Sequence, residues 1–210
     1  MKMEEINNFY VILNGCNTKE KTSQYDVRKK YDIVDKFIFV FVGNVSKNKN
    51  QKQVVDAFLL LPDEYKKKIA VLFVGGGDYI ELKDYITQKG LNGNLFVCGL
   101  VPKCEVHNYY IAGNATILTS YSEGFGLSLV EGMCYGLPCV TFADLAVVKD
   151  IYNERVMVKV AERSTDALAK GMAHLYKMTW DRDFIKGYAN RFSYDNMASN
   201  YLATYNSILK

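Results

Sequence analysis

This sequence is poor in the residues that build metal centres. Only two histidines, His107 and His174, are present, and neither stands near a cysteine or a second histidine at ligand spacing. The five cysteines (16, 98, 104, 134 and 139) contain no Cys-x-x-Cys pair, so a structural zinc site is not expected. Their odd number reads as reduced thiols and not as a disulfide framework. Charge of one sign is also lacking. With 26 basic and 23 acidic residues the net charge is +3, too small for a dedicated nucleic-acid binder. Long apolar runs are missing. The longest candidates, Phe37–Val42 and Ile69–Val74, fall far short of the about 20 residues that span a bilayer. Residues 1–8 are polar and acidic, unlike a secretory leader, so a cytoplasmic location is expected, with peripheral contact with a membrane left open.

What remains is an ordinary globular composition, 49% hydrophobic and 23% charged, on a chain long enough to bury a core without staples. Short β-rich runs alternate with helical patterns. The strands are read at Phe37–Val42, Ile69–Val74, Leu95–Val97, Ala115–Leu118 and Pro138–Phe142, with a weaker one at Val156–Val160. Helices are read over Gln51–Leu61, Asp78–Lys89, Lys103–Ala112, Gly126–Tyr135 and Ser164–Lys177, with a final pair at Asp181–Arg191 and Tyr194–Leu209. Phe9–Leu13 reads as an additional strand followed by a turn at Asn14-Gly15. Near-continuous apolar strands separated by helices predict an α/β fold, a doubly wound parallel sheet. The division expected is an entry segment at 1–35, the doubly wound domain at 36–180 and trailing helices at 181–210. In such sheets ligands bind beyond the carboxyl ends of the strands. The loops after Val42, Val74, Val97, Leu118 and Phe142 are therefore the candidate site.

The richest of these loops runs from Ser120 to Pro138. Gly124 and Gly126 let the backbone come close to a ligand, and the helix that follows offers free N–H groups to a phosphate. The turn from Ser122 to Leu127, Phe125 included, would supply those amides. Glu131, inside the first turns of that helix, suits the hydroxyls of a ribose, and Glu123, just before the turn, suits those of a sugar. A glycosidase pair is disfavoured. Eight helical residues span roughly 12 Å, beyond the about 5.5 Å or 6.5–9.5 Å that such pairs need. The residues alone leave open a plain exposed loop with a glutamate in the helix field. A P-loop is absent, and Ile80 and Leu129 stand where a dinucleotide fingerprint needs its last glycine.

The segment Glu123–Glu131 closely resembles the Glu-x7-Glu motif of the group 1 (family 4) retaining glycosyltransferases of the GT-B fold. Four further stretches match in order: Tyr10–Gly15, Val42–Lys49, Val74–Asp78 and Phe96–Pro102. The resemblance covers nearly all of this chain and about half of the family's usual architecture. It implies a Rossmann-like GT-B C-terminal domain that binds a nucleoside diphosphate sugar, UDP-linked, for hexosyl transfer to a saccharide or lipid acceptor in polysaccharide biosynthesis. Glu123 would contact the donor sugar, and the amides of Gly124, Phe125, Gly126 and Leu127 the diphosphate. Glu131 would hold the ribose. Lys49 would neutralise the leaving group, and Gly43 and Asn44 would form the first glycine loop. The main chain at Leu100 and Val101 would flank the base. No metal or further cofactor is implied. The chain departs from the family in three places. Asn44 stands where an arginine is usual, with Lys47 as a candidate substitute. Residues 146–150 lack paired glycines. The acceptor domain, with its active-site histidine, has no counterpart, and His107 and His174 are read as core or helix-surface residues. Hence the alternative: a non-catalytic nucleotide-sugar-binding module that needs a separate acceptor-binding chain, an N-terminal-type partner domain, or self-association. The last helix would then leave Tyr194, Met197, Tyr201 and Tyr205 as an exposed stripe.

Overall fold

The computed structural model describes residues 10–19 and 21–209. Six strands, β1 (Phe37–Val42), β2 (Ile69–Val74), β3 (Leu95–Gly99), β4 (Ala115–Leu118), β5 (Cys139–Phe142) and β6 (Met157–Val160), form one sheet in the order β3-β2-β1-β4-β5-β6. Every pairing is parallel, from Phe37 opposite Ile69 on one side of β1 to Phe39 opposite Ala115 on the other. The strand order reverses between β1 and β4, so a crevice opens beyond their carboxyl ends. This is the doubly wound, Rossmann-like α/β architecture that the alternating pattern predicts.

Alternation along β1 and β2 explains why both read as unbroken apolar runs. Phe39, Phe41, Val71 and Phe73 enter one buried cluster, while Ile38, Val40, Ala70 and Leu72 enter another on the opposite face. Both faces are covered, so neither strand has a solvent side to mark with polar residues. The covering helices are α1 (Val27–Lys30), α2 (Gln51–Leu59), α3 (Asp63–Lys66), α4 (Tyr79–Gln88), α5 (Val106–Ala112), α6 (Leu127–Cys134), α7 (Val148–Ile151), α8 (Thr165–Lys177), α9 (Arg182–Ala189) and α10 (Tyr194–Ile208). Ser164 and Asp181 cap α8 and α9 by accepting from the amides of Ala167 and Phe184 at 3.1 and 3.0 Å. Asp78 precedes α4 without a side-chain cap; its own amide donates to the Val45 carbonyl instead, at 3.0 Å.

Two expectations fail at the N-terminal end. Residues 10–15 form neither a strand nor an Asn14-Gly15 turn, and Phe9 lies outside the described residues. The sheet leaves this segment no place; it docks on the C-terminal part of the chain instead. Cys16 forms an isolated parallel bridge with Ser193, its amide donating to the Phe192 carbonyl at 2.8 Å. Tyr10 and Val11 stay exposed, without the cross-strand neighbours that would reward an extended apolar run. The short helices α1, α3 and α7 go unread in the sequence, because four residues are too few to show a 3.6-residue period. The last helix agrees with its reading: α10 buries no residue, and Tyr194, Tyr201 and Tyr205 are exposed. Met197 is half-buried, its sulfur accepting from the Gly15 amide at 3.1 Å.

Candidate functional site

Two loops meet at the strand-order reversal, one after β1 and one after β4, and polar side chains clasp them together. The Asn48 side chain bonds both the amide and the carbonyl of Ser122, at 3.1 and 3.0 Å, and the Asn48 carbonyl accepts from the Tyr121 amide at 2.8 Å. The Thr119 hydroxyl lies 2.9 and 3.0 Å from the carbonyls of Lys49 and Asn50. Arg163, just after β6, completes the clasp. It donates to the Ser120 carbonyl at 2.8 Å, pairs with Asp144 at 2.6 Å and lies over the ring of Phe142.

This clasp places Lys49 against Glu123. The two form a short ion pair, and the Ser120 hydroxyl donates to the same carboxylate oxygen at 2.5 Å. Both side chains are largely withdrawn from solvent, at 23% and 12% exposure, so the pair is a fixed part of the loop and not a surface ornament.

Beyond Glu123 the chain turns into α6. Gly126 occupies the N-cap in the left-handed region, φ 67°, a geometry that a side chain would strain. No side chain caps this helix start, so its amides keep donor capacity. Phe125 is buried and meets Phe192 edge-on, which anchors the turn to the core. A Cβ at Gly124 would meet open space, so the structure constrains Gly126 and not Gly124. A second close approach joins the loops after β1 and β2. Gly75, φ 153°, lies so near the Gly43 carbonyl that no side chain fits there.

A cleft of about 730 Å³ opens on the other side of the turn. Of the residues singled out in the sequence it gathers Gly43, Asn44, Leu100, Val101, Leu127 and Glu131. Lys49, Glu123, Gly124, Phe125 and Gly126 do not line it. Glu123 is folded back onto Lys49 and Ser120, so the two glutamates flank the start of α6 instead of sharing one wall. Lys47 lines a smaller cavity of about 310 Å³ with Asn50, Gln51 and Tyr121, and Asn44 is not part of that lining. His107 is buried with its Nε2 3.1 Å from the Thr22 carbonyl, and it lines the cleft; His174 is exposed on α8.

Glu131 reaches the cleft wall half-buried, its Oε2 2.9 Å from the Tyr110 hydroxyl. Burial pushes its carboxyl above the usual range, opposed by the Tyr110 hydrogen bond and by Lys103. Tyr110 lies on α5 beside it. It is buried and stacks on Tyr135, yet its hydroxyl meets Glu131, and burial drives its phenol far above its ordinary pKa. Nothing in the residue order marks Tyr110 or Arg163 as part of the site. Asn48 lies within the resembling loop and was passed over there. Among the described residues no group of three or more His, Cys, Asp or Glu converges on a common point.

The family model described as "Glycosyl transferases group 1" matches residues 23–192. The chain belongs to the group 1 glycosyl transferases. Curated relatives in this family include the poly(glycerol-phosphate) alpha-glucosyltransferase of Bacillus subtilis. It is 32% identical over 110 residues, which cover 51% of this chain and 16% of that protein. The O-antigen chain mannosyltransferase B of Escherichia coli is 23% identical over 173 residues, 74% of this chain and 45% of its own. The solved structure of Anabaena HepE in complex with UDP superposes with a TM-score of 0.79 at 23% identity, covering 94% of this chain and 57% of HepE. The glycosyltransferase chain thus spans little more than half the length of these relatives at most. Its six-stranded sheet is the Rossmann-like half of a GT-B fold.

Proposed function

We propose that this chain is the donor-binding half of a retaining glycosyltransferase, taking a UDP-linked hexose for transfer to a saccharide or lipid acceptor. The observation that carries the reading is the uncapped start of α6, flanked by the Lys49–Glu123 pair on one side and by Glu131 on the other. The diphosphate would sit on the α6 amides, the ribose on Glu131, and the uracil in the cleft beside Leu100 and Val101. Cleaving the bond between the anomeric carbon and the phosphate oxygen leaves its electron pair on the nucleotide. The Lys49 ammonium and preorganised amides stabilise that charge. The acceptor hydroxyl oxygen bonds the anomeric carbon, and its proton passes to the departing phosphate oxygen. Glu123 would hold the donor sugar and keep Lys49 aimed. Asn44 donates a hydrogen bond but no charge where the family usually has arginine, so Lys49 carries more of the neutralisation.

The length of the relatives favours a second reading for the chain alone: it binds the donor and needs an acceptor-binding domain from elsewhere to turn over. Calorimetric titration with UDP and UDP-hexoses tests the shared premise. Binding by the wild-type chain, weakened at least tenfold in Glu131→Ala, is expected. No heat with any uridine nucleotide would sink both readings, and robust transfer by the purified chain would remove the second.

A further inference from the structure

Tyr110 supplies the feature that these readings do not use. A phenol has one proton to give. Its oxygen lies 2.9 Å from Glu131 Oε2 and 3.2 Å from the Ser128 carbonyl, so two acceptors compete for that proton. A charge-assisted bond to the carboxylate is shorter and stronger than one to a neutral carbonyl. The ring cannot turn away, because it is buried in α5 and stacked on Tyr135 with centroids 5.8 Å apart and planes 13° from parallel. The carboxylate is therefore held through Oε2, and among the described residues no hydrogen bond engages Oε1 of this cleft-lining side chain. Two adjacent hydroxyls of a ribose offer the two donors that such a carboxylate accepts.

We propose that Tyr110 is a positioning residue, fixing the Glu131 carboxylate for a vicinal diol and so making the chain select ribonucleotides over 2′-deoxyribonucleotides. This rests on the reading of Glu131 as the ribose-binding residue. A Tyr110 that merely filled space would need only the Ser128 carbonyl to satisfy its hydroxyl. In the arrangement seen, its loss frees the carboxylate to rotate and removes the contact that opposes protonation of Glu131. The charged and titratable neighbours of that carboxyl are Lys103, Cys16 and Cys134, with His107, Lys19 and Lys21 along the same cleft. None of them changes when Tyr110 is replaced, and a ratio of two nucleotides that differ only at the 2′ position cancels their contribution.

The experiment compares the dissociation constants of UDP and 2′-deoxy-UDP for the 210-residue chain, its Tyr110→Phe and Glu131→Gln variants, and the double variant. The wild type should prefer UDP by tenfold or more, and Tyr110→Phe should lose about a factor of ten of that preference. In the Glu131→Gln background Tyr110→Phe should change the ratio no further, since Tyr110 acts through Glu131. Should Tyr110→Phe not fold, Glu131→Asp carries the test: it keeps the charge but withdraws the carboxylate from the phenol, and the preference should drop likewise. A wild type blind to the 2′-hydroxyl would overturn the diol assignment while the nucleotide reading stood. Full preference retained by Tyr110→Phe would overturn the role of Tyr110 alone, and full preference retained by Glu131→Asp in its place would overturn the diol assignment together with it. No binding of either nucleotide by the wild type would remove both.

Discussion

Glu123 and Glu131 flank the same helix start, eight residues apart in sequence, and the protein treats them in opposite ways. Glu123 is answered by a cation: Lys49 pairs with it and Ser120 donates to it. Glu131 is hydrogen-bonded by a neutral phenol and feels the Lys103 cation only through its field, and burial raises its pKa. The first carboxylate is thus part of the folded loop. The second is kept at a cost to stability, a pattern typical of groups reserved for a ligand. One motif thus holds an acid already paired by the fold and a second kept poised by burial, so the same spacing places two opposite demands on stability.

The largest effect expected from breaking this contrast is at Lys49. Lys49→Ala leaves Glu123 withdrawn from solvent without its cation, and under the proposed function removes the counter-charge of the diphosphate as well. UDP affinity should fall roughly thirtyfold or more, read by calorimetry. Neutralising the two acids in turn should separate them by sign. Glu123→Gln should destabilise the fold by about 2 kcal/mol in urea unfolding, because it leaves Lys49 unpaired. Glu131→Gln should do the reverse at neutral pH. A carboxyl whose folded pKa is raised contributes stability below its unfolded value, and that contribution is lost as pH rises through the folded pKa. Melting curves of wild type and Glu131→Gln should therefore run together at or below pH 4.5 and part above it, with the glutamine variant the more stable. Next in size, Arg163→Ala should lower stability by about 1 kcal/mol by releasing the Ser120 carbonyl and Asp144, and should weaken UDP binding as the Glu123 loop loosens. Smallest is the change at α10. Leu202→Glu, at 63% exposure, should leave the melting temperature within the scatter of a surface substitution and yet abolish any self-association seen by light scattering.

The same contrast explains what was legible in the sequence. The parallel sheet announces itself because strands buried on both faces must be apolar throughout, as β2 is from Ile69 to Val74. The glycines of the loop after β2 were readable too, since at Gly75 and Gly77 the close approach of the backbone leaves no room for a side chain. The partners of the two glutamates were not. Tyr110 comes 21 residues before Glu131, on a different helix, and a tyrosine in a helix reads as packing until its hydroxyl is placed. Arg163 is drawn to Ser120 from 43 residues away by the folding of β6 beside β5. The apparent strand at Phe9–Leu13 fails for the opposite reason: its composition suits a sheet, but its described residues, 10–13, pair with no strand of the sheet.

That displaced segment has a mechanical consequence. One wall of the large cleft, Gly15, Cys16, Asn17 and Lys19, is joined to the domain by the bridge at Ser193 with the two backbone bonds around it, by the Gly15 amide on the Met197 sulfur, and by the buried Cys16 thiol against Cys134. Letting go there costs a few bonds and the burial of the Cys16 thiol, less than opening the sheet, so the wall should open ahead of the rest of the domain. The amides of Cys16 and Tyr194 should therefore trade their hydrogens for deuterium well ahead of those in β1 and β2, and an occupied cleft should slow that trade.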